Sequence, residues 1–216
     1  SIDRAAHTVK AKSGRQVSYD KLLIATGSDP FIIPVPGKDL PGVVTFRDLD
    51  DVDKMLAAAD LGGNAVVIGG GLLGLEAAHG LALRGMQVTV LHLMPTLMER
   101  QLDEAAGWLL KSELERRGQT ILTGADTAEI VGNGKVEAVR LKDGTEIKAD
   151  IVVMAVGIRP STGLAKEAGL AVGRGIQVDD HMVTSDPDVL AVGECVEHDE
   201  QVYGLVDIEA PGLGVP

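Results

Sequence analysis

Hydrophobic residues fall into short uninterrupted runs along the chain, and these runs predict the strands of a buried parallel sheet. The clearest are at 22–25, 65–68 and 151–154, where no polar residue interrupts the apolar positions. Such runs are typical of strands covered on both faces. By contrast, residues 127–147 alternate polar and apolar side chains around Asn133-Gly134 and Asp143-Gly144, which predicts a three-stranded antiparallel meander.

Three segments have the periodicity and the end signals of helices. The first has an acidic opening turn and stops at Gly62-Gly63, and the second is rich in alanine and leucine and stops at Gly85. The third spans residues 102–117 and is predicted to bury one stripe of side chains, namely Ala106, Leu109, Leu110 and Leu114. Residues 31–47 carry three prolines and predict an extended connection rather than a packed element.

The chain repeats itself at an offset of 130 residues. Without gaps, this offset aligns "YDKLLIATGSDP" with "ADIVVMAVGIRP" and pairs identical residues, among them Asp20 with Asp150 and Gly27 with Gly157. In each copy a polar hairpin precedes an apolar run and a glycine, which indicates two related units. The first unit's counterpart of Gly69 would fall before the first residue, so we expect roughly 70 residues of that unit to be missing.

The strongest local motif lies in "NAVVIGGGLLGLEAAHGLALRGMQVTVLHL", which has the order strand, glycine turn, helix, strand. Within it Gly69, Gly71 and Gly74 fit G-x-G-x-x-G, the pattern that binds a dinucleotide pyrophosphate in this context. Gly69 would permit the tight turn, Gly71 the approach of a phosphate, and Gly74 close packing of the helix. The helix N-terminus would then face the phosphates. The alternative is a glycine-rich turn that binds nothing.

Composition and charge narrow the choice of partners. The formal net charge is −12 at pH 7 and no basic stripe is present, which argues against nucleic acid or anionic membrane. The sequence shows no signal peptide and no apolar run of membrane-spanning length, so we expect a soluble cytoplasmic protein. Cys195 is the single cysteine; with His198 it supplies too few ligands for structural zinc, and no metal is expected.

The ordered series "LLIATGSDP", "VVIGGGLLGLEAAHGLALRG", "VVMAVGIRP" and "TSDPDVLAVGEC" resembles the two-dinucleotide-fold flavoprotein reductases, in which an NAD(P)H domain is inserted into an FAD domain. Within that family, "VTVLHLMPTLMERQLDEAAGWLLKSELERRG" and "VYGLV" resemble the large subunits of assimilatory NAD(P)H nitrite reductases. The resemblance covers about residues 5–206. It implies an α/β fold in which residues 46–162 form a Rossmann-like NAD(P)H-binding domain with the meander. Residues 1–45 and 163–216 would be partial FAD-binding segments, with an atypical tail from 207.

The same resemblance implies the residues that bind cofactors. NAD(P)H would lie against Gly69, Gly70, Gly71, Leu72, Leu73, Gly74, Glu76, Val156 and Gly157, of which Glu76, Val156 and Gly157 would serve the nicotinamide half. FAD would lie near Ala25, Thr26, Gly27, Gly193 and Glu194. His92 stands where the fingerprint has an acidic residue for the ribose hydroxyls, and no arginine lies beside it for a 2′-phosphate, which favours NADH.

The activity implied for the intact protein is hydride transfer from NAD(P)H to FAD. Electrons would then pass onward to the siroheme and iron-sulfur centre of a nitrite reductase. A single cysteine excludes reduction through a redox disulfide. It also cannot supply the siroheme and iron-sulfur centre, so nitrite reduction must happen outside this chain, which alone is expected to be inactive. No residue is expected to act as a catalytic acid, base or nucleophile. A ferredoxin or rubredoxin reductase shares every motif, and a non-catalytic nucleotide-binding module is the alternative from another class.

Overall fold

The computed structural model describes residues 1–202, so the tail predicted from 207 and most of "VYGLV" lie outside the described residues. The strands are β1 (Ile2–Asp3), β2 (Thr8–Lys10), β3 (Gln16–Ser18), β4 (Leu22–Ile24), β5 (Ser28–Pro30), β6 (Val43–Thr45), β7 (Asn64–Ile68), β8 (Gln87–His92), β9 (Thr120–Thr123), β10 (Thr127–Val131), β11 (Ala138–Leu141), β12 (Glu146–Lys148), β13 (Ile151–Met154), β14 (Ile158–Pro160), β15 (Ile176–Gln177), β16 (Val189–Ala191), β17 (Val196–His198) and β18 (Gln201–Val202). The helices are α1 (Leu49–Leu61), α2 (Leu72–Leu83), α3 (Glu104–Arg116), α4 (Gly163–Glu167) and the 3₁₀ turn Gly193–Cys195. None of the helices in residues 1–202 has the length and apolar character needed to cross a bilayer.

The chain forms two compact units. One is Pro30–Gly157, called the inserted unit below. The other, called the outer unit, combines Ser1–Asp29 with the described residues from Ile158 on. The NAD(P)H-binding domain was predicted at residues 46–162, and most of that range lies within the inserted unit.

A five-stranded parallel sheet forms the centre of the inserted unit, in the order β6-β13-β7-β8-β9. Alternate side chains of each strand enter two different buried clusters. Ala65 and Val67 of β7 pack with residues of α1, α2 and α3, whereas Val66 and Ile68 pack with residues of the meander. The sheet is thus covered by helices on one face and by the antiparallel sheet β10-β11-β12 on the other, which confirms the predicted meander.

The segment 31–47 differs from the sequence-based expectation. It was predicted to be an unpacked connection, but Ile33, Val35 and Leu40 pack against the cluster beneath the meander. Its last part, β6, forms the edge of the parallel sheet beside β13. The three prolines precede β6. Proline removes a backbone N–H donor, but it does not prevent the apolar side chains between the prolines from packing.

The outer unit is built from smaller sheets around its own buried cluster. β1-β2-β3 is antiparallel and contains the polar hairpin predicted before the first apolar run, with its turn at Gly14. β4 pairs in parallel with β16. Ile24 of β4 is buried in this cluster, but the neighbouring Leu23 is 57% exposed. Within the described residues β4 is therefore covered on one face only, although its uninterrupted apolar run predicted burial of both faces.

Helix α3 also differs in part from its predicted packing. Leu114 is buried and Leu110 packs beside it, as the predicted stripe requires. Leu109 of the same stripe is 62% exposed, and so is its neighbour Trp108 at 65%. The helix is buried instead through Gly107, whose missing side chain lets it lie close to the backbone of Leu97.

Candidate functional site

A glycine loop connects the C-terminal end of β7 to the N-terminus of α2. Gly69 leaves the strand at φ +125°, a conformation that side chains disfavour, and Gly71 is the N-cap of α2 without any side-chain cap. The first N–H groups of a helix have no partner within the helix. In α2 these groups belong to Leu72, Leu73 and Gly74, so the loop presents unpaired donors and the positive end of a helix dipole.

The space around each glycine shows which side of the loop is open. A methyl group on Gly69 would overlap the carbonyl of Ala155, and one on Gly74 would overlap the carbonyl of Gly69. On Gly70 it would lie 2.6 Å from ring atom Cγ of His92 and 2.6 Å from a methyl of Leu97. On Gly71, by contrast, nothing lies within 4 Å. The loop is therefore packed on the inside through three glycines and open at Gly71, which is the cradle that a pyrophosphate needs.

Most of the other residues predicted around this loop are exposed. Leu72 is 68% exposed and Leu73 is 42% exposed in the first turn of α2, and Glu76 is also exposed one turn later. Val156 and Gly157 follow β13, the strand next to β7, and Gly157 has φ +113°. The carboxyl ends of β7 and β13 lie at the same edge of the sheet. Val156 and Gly157 therefore lie beside the glycine loop.

His92 lies at the end of β8 but faces inward, not outward. The residue is 7% exposed, and its Nδ1 accepts a hydrogen bond from the backbone N–H of Gly70 at 3.0 Å. Its Nε2 lies 3.0 Å from Oε2 of Glu99. One ring nitrogen of His92 thus accepts a hydrogen bond from the loop, and the other lies beside the carboxylate of Glu99. Sequence reasoning missed Glu99, because seven residues separate it from the strand end where an acid is expected.

The second group of predicted residues lies in the outer unit. Gly27 adopts φ +64°, its carbonyl accepts from Ser161 N–H at 2.9 Å, and the Thr26 hydroxyl donates to the Ser161 carbonyl at 2.7 Å. Gly193 and Glu194 belong to the 3₁₀ turn after β16. The Ser28 hydroxyl donates to the Glu194 carboxylate at 2.7 Å, so the two predicted segments meet through a serine that sequence reasoning had not singled out.

Within residues 1–202, one group of side chains has the spacing of a possible metal site. It consists of Asp180, His198 and Asp199, with His198 Nε2 2.8 Å from Asp180 Oδ1. Cys195 takes no part in it, because its thiol is buried against the carbonyls of Ile24 and Val192. The two acids are exposed, and exposed acidic groups with this spacing are common without a bound ion.

Comparison with known proteins gives consistent matches over nearly the whole chain. The profile of the pyridine nucleotide-disulphide oxidoreductase family matches residues 1–208. The NAD(P)H nitrite reductase of Bacillus subtilis (strain 168) is 57% identical over 205 residues, which are 95% of this chain and 26% of that protein. The assimilatory nitrate reductase electron transfer subunit of the same organism is 48% identical over 205 residues, covering 95% of this chain and 27% of that protein.

Solved structures share the fold as well. The crystal structure of a ferredoxin reductase from Rhodopseudomonas palustris superimposes with a TM-score of 0.88 at 33% sequence identity. That match covers 94% of this chain and 51% of the other. The chain thus spans about a quarter of the length of the two curated relatives and about half of the reductase structure.

Proposed function

The chain belongs to the pyridine nucleotide-disulphide oxidoreductase family, and from that membership we propose that it serves a flavoprotein reductase of the nitrite reductase type. In this proposal the inserted unit binds NAD(P)H and the outer unit contributes to an FAD site. Electrons then pass onward to a siroheme and iron-sulfur acceptor. The identity to the Bacillus subtilis nitrite reductase supports this choice of acceptor.

The observation that carries the proposal is the contrast among the loop glycines. Gly69, Gly70 and Gly74 are held by close packing, while Gly71 faces open space beside the unpaired N–H groups of α2. A turn that only connected two elements would have no need for an open second glycine. This combination supports binding of a pyrophosphate at the loop.

Bound NAD(P)H would supply a hydride, and the chain's own residues bind and orient it. The backbone N–H groups at the start of α2 would hold the pyrophosphate, and Glu76 would face the nicotinamide half from the exposed side of α2. Val156 and Gly157 would border that half from the end of β13. The exposed side chains of Leu72 and Leu73 would exclude water from the bound coenzyme.

The FAD portion of the proposal rests on the two segments of the outer unit. Ala25, Thr26 and Gly27 leave β4, and Gly193 with Glu194 leaves β16, and these two strands are paired in parallel. Both segments therefore leave the same edge of a sheet, where nucleotide cofactors bind in open α/β folds. The hydrogen bond from Ser28 fixes the Glu194 carboxylate there.

Calorimetric titration of the chain with NADH tests the proposal. We expect saturable one-to-one binding that ADP-ribose competes away, because ADP-ribose carries the same pyrophosphate without the nicotinamide. Absence of NADH binding, or binding unaffected by ADP-ribose, would contradict it. Reduction of ferricyanide by NADH in the FAD-loaded protein that contains this chain would distinguish an enzyme from a non-catalytic nucleotide-binding module.

A ferredoxin or rubredoxin reductase is the second candidate, and the superposition on the Rhodopseudomonas palustris reductase favours it. The two candidates differ in the terminal acceptor and share everything before it. NADH-dependent consumption of nitrite by the protein that contains this chain would support the first. Reduction of added ferredoxin or rubredoxin without nitrite consumption would support the second.

A further inference from the structure

An acidic side chain lies at the ribose end of the candidate site although the strand-end residue itself is a histidine. Gly70 N–H donates to Nδ1 of His92, so this nitrogen carries a lone pair and the proton of the neutral ring is on Nε2. The Nε2–H group then donates to Oε2 of Glu99 at 3.0 Å. His92 therefore links the glycine loop on one side to a carboxylate on the other.

The segment after β8 holds Glu99 close to the loop by further contacts. Leu97 is buried, and the backbone N–H of Met98 donates to the carbonyl of Gly70 at 3.0 Å. Met98 has φ +53°, a left-handed conformation that side chains adopt rarely, and it turns the chain at that point. Glu99 follows immediately, so its backbone is positioned by the same loop that would hold the pyrophosphate.

We propose that Glu99 determines coenzyme choice, as the carboxylate that accepts the adenosine ribose hydroxyls and excludes a 2′-phosphate, and that His92 positions it. This inference rests on the proposed binding of a pyridine nucleotide. Dinucleotide folds place such an acid at the end of the second strand, and here the carboxylate reaches that end from seven residues further along the chain. The Glu99 side chain is 29% exposed, and its Oε1 makes no hydrogen bond within residues 1–202, which leaves it available to a ligand.

The neighbouring Arg100 would predict the opposite coenzyme preference. It is exposed and adjacent to Glu99, and a guanidinium at this place would bind a 2′-phosphate and favour NADPH. The described structure gives Arg100 no hydrogen bond to the loop, whereas Glu99 is fixed by His92. The geometry therefore favours NADH.

The first test compares Glu99→Gln with the matched control Arg100→Gln by calorimetric titration with NADH and NADPH. Glu99→Gln keeps the size of the side chain and removes its charge. We expect roughly a tenfold loss of NADH affinity, the effect of a lost hydrogen bond to a charged group, with NADPH affinity unchanged or raised. Arg100→Gln should leave the ratio of the two affinities unchanged. An unchanged ratio in Glu99→Gln, or a larger change in Arg100→Gln, overturns the inference.

The second test asks whether His92 acts through Glu99. In His92→Asn the amide oxygen can still accept from Gly70 N–H, but the donor toward Glu99 is removed. We expect this substitution to lower the preference for NADH in the wild-type background and to have no effect on the ratio in the Glu99→Gln background. Equal effects in both backgrounds would overturn the positioning role. Circular dichroism melting checks that each variant folds, with Glu99→Ala as a second variant at the loop.

The two proposals fail differently. If the wild-type chain binds neither coenzyme, the proposed function fails and this inference falls with it. If it binds NADH and the affinity ratio does not respond to Glu99, the inference fails while the proposed function stands.

Discussion

At the scale of single residues, two glycines of the G-x-G-x-x-G motif should respond in opposite ways to the same substitution. Gly71→Ala places a methyl group in open space at an N-cap with φ −84°, so the free energy of unfolding should change by less than about 1 kcal/mol. That methyl group would occupy the approach of the pyrophosphate, and NADH affinity should fall roughly tenfold or more. Gly74→Ala overlaps the carbonyl of Gly69 and should destabilise the fold by about 1–3 kcal/mol.

Thermal melting and NADH titration of both variants check this contrast. A Gly71→Ala variant that binds NADH like the wild type would show that the pyrophosphate does not approach there. A Gly74→Ala variant of unchanged stability would show that the loop can move away from α2 without cost.

An ion pair in the outer unit should make stability depend on acid pH. Arg4 Nε donates to Asp186 Oδ2 at 2.6 Å, and this hydrogen bond, followed by one from Asp188 N–H, lowers the pKa of Asp186 below its usual 3.8. Because the folded pKa is the lower one, the stabilisation is present above pH 3.8 and is lost as the pH falls through the folded pKa. Asp186→Asn should therefore cost roughly 1 kcal/mol at neutral pH and nothing in strong acid.

Denaturant unfolding of wild type and Asp186→Asn between neutral pH and pH 2 measures this difference. Asp20→Asn is the control, since Asp20 is an exposed carboxylate of the same unit without a hydrogen bond within residues 1–202. A cost that stays constant across the whole pH range would contradict the electrostatic explanation.

The sequence predicted that Gly69, Gly71 and Gly74 form the turn between strand and helix. It did not predict that the side chain of His92 points inward. The spacing of Gly69, Gly71 and Gly74 is a backbone requirement and is readable from the sequence. The contact between His92 and Gly70 depends on a side-chain rotamer, and the approach of Glu99 depends on the turn at Met98. Neither has a short-range signal in the sequence, so the sequence could only place His92 at the strand end.

At the scale of elements, the segment before β6 should be as sensitive as a core strand. Gly37 has φ +80°, and a methyl group there would overlap the carbonyl of Ile130 in β10. Gly37→Ala should therefore cost more than the roughly 1 kcal/mol expected from the backbone conformation alone. Gly14→Ala is the matched control, because Gly14 has φ +87° in a hairpin turn with nothing within 4 Å of the added methyl.

Chemical denaturation of the two variants separates the backbone cost from the packing cost. Equal losses of stability would mean that residues 31–42 are not packed tightly against the meander. A larger loss in Gly37→Ala, with a normal hairpin in Gly14→Ala, would agree with the contacts of Ile33, Val35 and Leu40.

Element types were easier to predict from the sequence than their burial. The runs 22–25 and 151–154 look alike, and both give strands, but every residue of β13 is buried while Leu23 of β4 is exposed. The difference comes from what packs on each strand, since β13 lies between β6 and β7 with a layer on either face. Helix α3 is a second example, because it packs closely through Gly107 and leaves Leu109 exposed.

At the scale of the whole molecule, the chain has one glycine motif for two proposed dinucleotides. The pattern G-x-G-x-x-G occurs at Gly69, Gly71 and Gly74, in the inserted unit. We therefore expect the purified chain to retain little FAD and to bind NADH weakly, because no flavin ring would stack on the nicotinamide. Absorbance of the desalted protein after incubation with excess FAD measures the first, and calorimetry the second. A yellow protein with stoichiometric FAD would contradict this expectation.

The two ends of the inserted unit lie side by side, since the backbone N–H of Phe31 donates to the carbonyl of Gly157 at 2.9 Å. A module whose entry and exit points coincide can be removed or exchanged by joining two nearby residues of its host, without stretching either part. An exchange at these two points would transfer the whole inserted unit, with its proposed NAD(P)H site, to another host. Laboratory chimaeras that exchange residues 31–157 between relatives would also move the whole unit, and the proposed coenzyme preference would move with it.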